Sequence, residues 1–419
     1  MARLKGARLT LWGIVAALGM VTASCGGGAD AGSHTVTINW YIGKQSTPAF
    51  VHDAAACSKT SGGRYRISIN DLPADASQQR EQLVRRLAAK DKSIDVIGMD
   101  VIWTAEFAEA GWVKEWTGDQ LAGVADGRLP AALATAQYKG RTWAAPQNTN
   151  AQILFYRKDL VPKPPVTWDD MINEAKRLGP NGRIEAQGAR YEGLVVWFAS
   201  LVASAGGQII QDDHAVAGPA TVKALQVMHD LLASHTADPA LSNATEDTTT
   251  QSFIAGRAAF MVNYSALFSS IKAQAPDLVP KIGFAPWPRV APDLPSRPTL
   301  GGFNLGVGAF TKHPAESFDA ATCLVNADSQ VRNAAEGGLP PTIAALYQDP
   351  GVRDSLGGFA DILHDTIGNA AVRPVTPAYN DVSLVIQRTL HPESKITPDR
   401  TANQLKKALD KALRSGGLI

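Results

Sequence analysis

The sequence predicts an α/β protein of two lobes, each a mainly parallel sheet flanked by helices, joined by crossings that act as hinges. Three observations lead there. Strand-like and helix-like segments alternate as β-α-β-α-β from Val36 to Met99, an order that implies a parallel sheet with helices on both faces. Two apolar runs, one in each half of the chain, end on a polar residue and an aromatic: Asp100 with Trp103, and Asn263 with Tyr264. Polar, Pro-containing links separate apolar runs where a chain passing between lobes would bend. The length of 419 residues exceeds one ordinary core, so two lobes of about 150–200 residues are expected. The expected division is 34–146 with 296–338 for the first lobe, and 147–295 with 339–419 for the second.

Taken in order, Val36 to Ile42 (VTINWYI) reads as the first strand and Thr47 to Ser58 as a helix. Arg64 to Leu72 alternates like a second strand, and Ser77 to Ala89 is amphipathic, with Leu83, Val84 and Leu87 facing in and Gln79, Arg80, Arg85 and Arg86 facing out. The stretch from Asp95 to Trp116 organises the rest of the chain. Its Val96-Ile97-Gly98-Met99 suits a strand buried on both faces, ended by Asp100 and succeeded by Trp103. In an open α/β sheet, ligands sit at the carboxyl ends of strands. An acid and an aromatic there offer a hydrogen-bond acceptor beside a flat apolar face, the combination that sugars require. The competing assignment is structural: Asp100 caps the next helix and Trp103 fills the core.

Thr142 to Tyr156 holds two strand-like runs about Pro146-Gln147-Asn148-Thr149-Asn150, a first crossing. Thr167 then caps a helix that carries Asp169 and Asp170 at its positive end. Glu192 to Ala205 is an apolar helix ended by Gly206-Gly207, and Thr221 to Ser234 is amphipathic. Thr248 to Ile254 leads through Gly256 into a strand that ends at Asn263-Tyr264. A strand at Ile282 to Pro288 precedes a Pro-rich link, and Gly301-Gly302-Phe303-Asn304-Leu305-Gly306-Val307 comes next. Paired glycines before a β-run mean backbone held close to a ligand or to a neighbouring strand. A helix at Ala315 to Asn326 contains Cys323, and Gly337-Gly338-Leu339-Pro340-Pro341 marks a further crossing.

The N-terminus reads as an address. Arg3, Lys5 and Arg8 precede an apolar Leu9–Val21 too short to span a bilayer, and Thr22-Ala23-Ser24-Cys25 precedes a Gly-rich tether. Small residues before a lone Cys resemble a lipoprotein box, with 1–24 as signal peptide, Cys25 lipidated and 25–33 flexible. Thr22 departs from the leucine usual there, and secretory cleavage that leaves Cys25 free is the alternative. With Cys25 lipidated, the other two of three cysteines, Cys57 and Cys323, remain as a pair, and an oxidising compartment permits a disulfide. Neither has a second Cys or a His at ligand spacing, so no metal site is expected. The composition, 45% hydrophobic and 19% charged, is globular, and a net charge of +1 argues against nucleic acid as the main partner.

No P-loop, HExxH or paired-Cys run is present, and Ala203-Ser204-Ala205-Gly206 lacks the first glycine of a nucleophile elbow. Asp100 and Glu246 are the carboxylates that a glycoside hydrolase would use as acid and base, which is the enzymatic alternative.

The segments LPADASQQREQLVRRLAAKDKSIDVIGMDVIWTAEFAEAGW, AAPQNTNAQILFYRKDL, EGLVVWFASLVASAGG, GGFNLGV, EGGLP and AAVRPVTPAY resemble the maltose-type solute-binding proteins of ABC importers, in particular the actinobacterial trehalose-binding lipoproteins, over most of residues 35–415. The resemblance implies a periplasmic-binding-protein fold without catalysis or cofactor. It also implies a disaccharide ligand, trehalose foremost, handed to ABC permease subunits with their ATPase, and attachment to the extracytoplasmic membrane face through the lipid on Cys25 alone. Another oligosaccharide or a glycerophosphodiester is the alternative ligand. By the same resemblance Asp100, Asn150, Glu246, Tyr264, Gly302, Phe303 and Arg373 line the cleft, and Cys57 and Cys323 match half-cystines. Asp100, Glu246 and Arg373 would hold hydroxyls through charge-assisted bonds, Asn150 would bridge, Tyr264 would stack, and the Gly301-Gly302-Phe303 backbone would lend amides. Trp103 adds a further ring. The structural alternatives are an ion pair to a second-lobe acid for Arg373 and an exposed loop acid for Glu246. The pattern departs at Tyr264, where the relatives carry tryptophan, and between Ser269 and Lys281, where this chain is shorter.

Overall fold

The structure, a computed structural model, describes residues 35–44, 48–73 and 75–414. The expected signal peptide, the tether and Cys25 lie outside the described residues. Two sheets organise the chain. The first comprises β1 (Val36–Gly43), β2 (Tyr65–Leu72), β3 (Val96–Asp100), β4 (Ala145–Asn150) and β9 (Gly301–Val307), in the order β2-β1-β3-β9-β4. The second comprises β5 (Gln152–Arg157), β6 (Ile184–Glu185), β7 (Phe260–Tyr264) and β8 (Ile282–Ala285), in the order β8-β5-β7-β6.

Period-two alternation sends successive side chains of a strand into opposite cores. Along β1, Ile38, Trp40 and Ile42 enter one core with Phe50 of helix Ala49–Thr60 and Phe318 of helix Pro314–Leu324. Tyr41 enters the opposite core with Leu83, Val84 and Leu87 of helix Ala76–Ala88. Gln79 of that helix, expected outside, is buried. Along β5, Leu154 faces the core built around Trp168 and Trp197, whereas Ile153 and Phe155 face the core built around Phe268 and Phe359. Each sheet is thus sandwiched between helices.

The expectation of mainly parallel sheets fails in a specific way. β1 pairs in parallel with β2 and β3, but β9 runs antiparallel to both β3 and β4. In the second sheet β5 is antiparallel to β7 and β8, and only β7 with β6 is parallel. Local β-α-β order reports only strands linked by crossover helices. β9 arrives instead from the second sheet, through the proline-rich segment 286–300, and so enters the first sheet in the reverse sense.

The first passage between sheets is short. β4 ends at Asn150 and β5 begins at Gln152, which leaves Ala151 as the link, itself fully buried. The boundary expected at 146/147 therefore falls inside β4, whose residues 147–150 are held by the first sheet through Thr149↔Gly302 and Asn150↔Gly301. Near the second passage, Thr299 bridges to Ala371, which ties that link to the segment carrying Arg373. Cys57 and Cys323 form a disulfide with Cα atoms 5.8 Å apart across 266 positions of chain, joining helices Ala49–Thr60 and Pro314–Leu324.

Candidate functional site

Arg373 is where the two sheets' surroundings meet. It is 6% exposed, and its guanidinium donates from Nη2 to Asp100 Oδ1 at 3.3 Å and from Nη1 to Glu192 Oε1 at 2.7 Å. Asp100 is the last residue of β3, whereas Glu192 opens the helix Glu192–Ser204 that packs on the second sheet. The arginine thus joins an acid from each lobe. Glu192 is also held by Tyr379 Oη and Ser383 Oγ, each donating at 2.5 Å. These two stand four residues apart on one face of helix Tyr379–Leu390. Burial raises the Glu192 carboxyl above its ordinary range, opposed by Arg373, Ser383 and Tyr379. Burial works against the charged form of Arg373, but Tyr379, Asp100, Glu192 and Tyr264 outweigh it and hold the guanidinium above its usual value.

Beside this triad lies a third carboxylate. Glu246 heads helix Glu246–Ile254, capped by Thr245, and accepts a bond from Tyr191 Oη at 2.6 Å. Burial raises its carboxyl as well, with Tyr191 opposing and Asp247 and Glu192 reinforcing. Tyr264, at the end of β7, completes the group. Its phenol is raised by burial and by Glu246, and it feels Arg373, Asp100 and Glu192.

Asp100, Glu246, Tyr264 and Arg373 therefore do converge. Of the assignments weighed for Asp100, the cap is present: it accepts from Ile102 N at 3.2 Å at the turn Val101–Trp103, and it also pairs with Arg373. The ion pair to a second-lobe acid, the structural alternative for Arg373, is present too, with Glu192 as the acid. Phe303 stands opposite Asp100 in register and opposite Asn148 on its other side, so Asp100, Phe303 and Asn148 form one row across the first sheet. Asn150, at the end of β4, keeps a buried Oδ1 without a partner.

Of the two reasons expected for the paired glycines, Gly302 meets the approach of a neighbouring strand. Its φ is +127°, and a Cβ there would lie 2.3 Å from the Asn148 carbonyl oxygen and 2.8 Å from Thr149 Cα. It is glycine because two strands approach closely at the bulge between Phe303 and Asn304. Trp103 is core: it is 3% exposed, and it lies against Phe107 with centroids 5.9 Å apart and planes 16° from parallel. It also lines a 20 Å³ cavity together with Arg80, Glu106, Glu192, Tyr379 and Ser383.

Sequence reasoning missed Glu192, Tyr191, Tyr379, Ser383 and Asn148. A lone acid opening an apolar helix, and a Tyr/Ser pair at helical spacing, were the available signals. Asn148 is 3% exposed with both amide atoms unpartnered among the described residues.

Two lobes that meet around a shared set of buried polar groups define a binding protein of the hinged, cleft-forming class. The chain belongs to the bacterial extracellular solute-binding proteins, whose family model matches residues 47–331. Its fold is that of maltose-bound MalE3 of T. maritima, with a TM-score of 0.81 at 28% identity over 90% of this chain and 100% of that one. A probable ABC transporter-binding protein of Deinococcus radiodurans is 28% identical over 88% of this chain and 90% of its own length. A maltotriose-binding protein of Pyrococcus abyssi is 27% identical over 60% of this chain and 55% of its own. These relatives are binding proteins, and the family is extracytoplasmic.

Proposed function

We propose that this protein binds a disaccharide, trehalose first, between its lobes and delivers it to an ABC permease from the membrane surface, where a lipid on Cys25 anchors it. The single observation that carries the reading is the buried Asp100–Arg373–Glu192 bridge, which draws one acceptor from each lobe to one arginine. Sugar hydroxyls need acceptors and donors in that density, and charged partners make the stronger bonds. The maltose and maltotriose in the names of two relatives support a glucoside.

The cavity beside Glu192 measures about 20 Å³, and one lined by Val101, Thr135 and Arg373 about 10 Å³, whereas a third, which Arg373 lines with Val202, Gly207, Thr299 and Val375, measures about 290 Å³. Small-molecule sites occupy roughly 300 Å³ or more. In this reading the two small cavities widen as the lobes part to admit a disaccharide, and closure around it is the signal passed to the permease. In the binding role Asp100, Glu192, Glu246 and Arg373 hold hydroxyls, Tyr264 and Phe303 cover ring faces, and Asn150 supplies an amide. No bond is broken, so Asp100 and Glu246 act as acceptors and not as acid and base.

The test is calorimetric titration of trehalose, maltose and maltotriose into the mature protein, with glucose release assayed in parallel. Saturable binding of at least one, without glucose, is expected. No binding by any of them, or steady glucose release lost in Glu246→Gln, would refute the reading.

A further inference from the structure

The charge in the cluster is unbalanced. Asp100, Glu192 and Glu246 bring three carboxylates, and Arg373 alone brings a cation. That cation is already divided between Asp100 and Glu192. Glu192 and Glu246 each open a helix, and a helix N-terminus supplies about half a positive charge. About one negative charge is left over. It falls at Glu246, which forms no ion pair among the described residues and has the neutral Tyr191 hydroxyl as its side-chain donor, with Asp247 and Glu192 nearby to repel it. Two buried side chains show independently that the region awaits further partners. Among the described residues Arg373 Nε and both amide atoms of Asn148 have no partner, at 6% and 3% exposure.

An anion entering such a site would meet this excess charge in a shielded place, where charge repulsion is strong. A cation would relieve it. Resting on the disaccharide reading above, we infer that the cleft selects by charge: it favours a sugar carrying an amine, placed against Glu246, over its neutral parent, and rejects phosphorylated or uronic sugars. On the same ground an anionic glycerophosphodiester would be disfavoured.

The experiment uses the mature protein at pH 7 and titrates trehalose, its four regioisomeric amino-deoxy analogues (amine at carbon 2, 3, 4 or 6) and trehalose 6-phosphate. At least one amino analogue should bind tenfold or more tighter than trehalose, and the phosphate a hundredfold or more weaker. In Glu246→Gln trehalose itself should bind more weakly, since an acceptor loses its charge, and the ratio of amine to trehalose affinity should fall to one or below, with a thermal melt establishing that the variant is folded. If trehalose binds but all four amines bind equally or more weakly, or if the amine preference survives in Glu246→Gln, the inference is overturned and the sugar reading stands. If no sugar of either kind binds, both fall together.

Discussion

Replacing Asp100 by asparagine separates its two roles. Asparagine caps as well as aspartate, so the bond from Ile102 N at 3.2 Å survives the change. The loss is the charge that faces Arg373 at 3.3 Å and, in the proposed site, the sugar. Arg373 keeps Glu192 at 2.7 Å, and the Asp100 side chain is one-fifth exposed, so the native state should lose no more than about 1 kcal/mol. Charged hydrogen bonds to a ligand are worth about 1.5–3 kcal/mol, and each tenfold in affinity corresponds to about 1.4. Asp100→Asn should therefore bind trehalose roughly tenfold to a hundredfold more weakly at nearly unchanged melting temperature. Asp100→Ala should show the same affinity loss and melt lower, because the cap is removed as well, at a cost of about 1 kcal/mol. Calorimetric titration and thermal melts on both variants decide the matter. Unchanged affinity in both, with only the alanine variant destabilised, would make Asp100 a cap alone and move the binding site elsewhere.

Three further outcomes are expected. Burial pushes the Asp53 carboxyl up to about 7 and that of Glu185 up to about 8, so the folded state holds protons that the unfolded chain has released above about pH 4. Stability should fall as pH rises from about 4 to 8, by at most about 4 kcal/mol per group, and denaturant melts of Asp53→Asn with Glu185→Gln should show a flatter profile. Cys57→Ser with Cys323→Ser should lower stability by about 2–4 kcal/mol through the long loop that the bridge closes, and unchanged melts would deny it that role. Gly302→Ala should cost several kcal/mol or prevent folding, since both its φ and the 2.3 Å approach to the Asn148 carbonyl forbid a Cβ; a variant that melts like the parent would contradict this.

How much was legible in the sequence depends on the range of the interactions. β1, β2 and β3 and their helices were readable because each core-facing pattern is local, and Trp40 against Tyr41 shows the two-sided burial directly. The direction of β9 was not, since nothing within Gly301–Val307 says from which sheet the chain arrives. At the site, Asp100, Glu246, Tyr264 and Arg373 were named and do converge, largely on family resemblance. Trp103 was misjudged because an aromatic after a strand end has the same sequence signature whether it faces ligand or, as here, Phe107. Glu192 was passed over because an acid in a first helical turn already has a sufficient local reason to be there, the helix dipole, and its bonds to Arg373 and Ser383 span 181 and 191 positions.

The late arrival of β9 shapes how the molecule comes into being. The first sheet begins with the first described strand, yet the strand between β3 and the edge strand β4 comes after the whole second sheet in the chain; the bond from Asn304 to Thr104 reaches back 200 positions. A chain that emerges from its N-terminus can therefore pair β1, β2 and β3 early but leaves β3 as a bare edge, with β4 unable to dock, until Gly301–Val307 has appeared. The strands of the second sheet all lie between Gln152 and Ala285 and can pair first, since closing the longer loop costs more entropy. The lobe made first is thus finished last. The last pairing, when β9 seats between β3 and β4, completes the first sheet in one step.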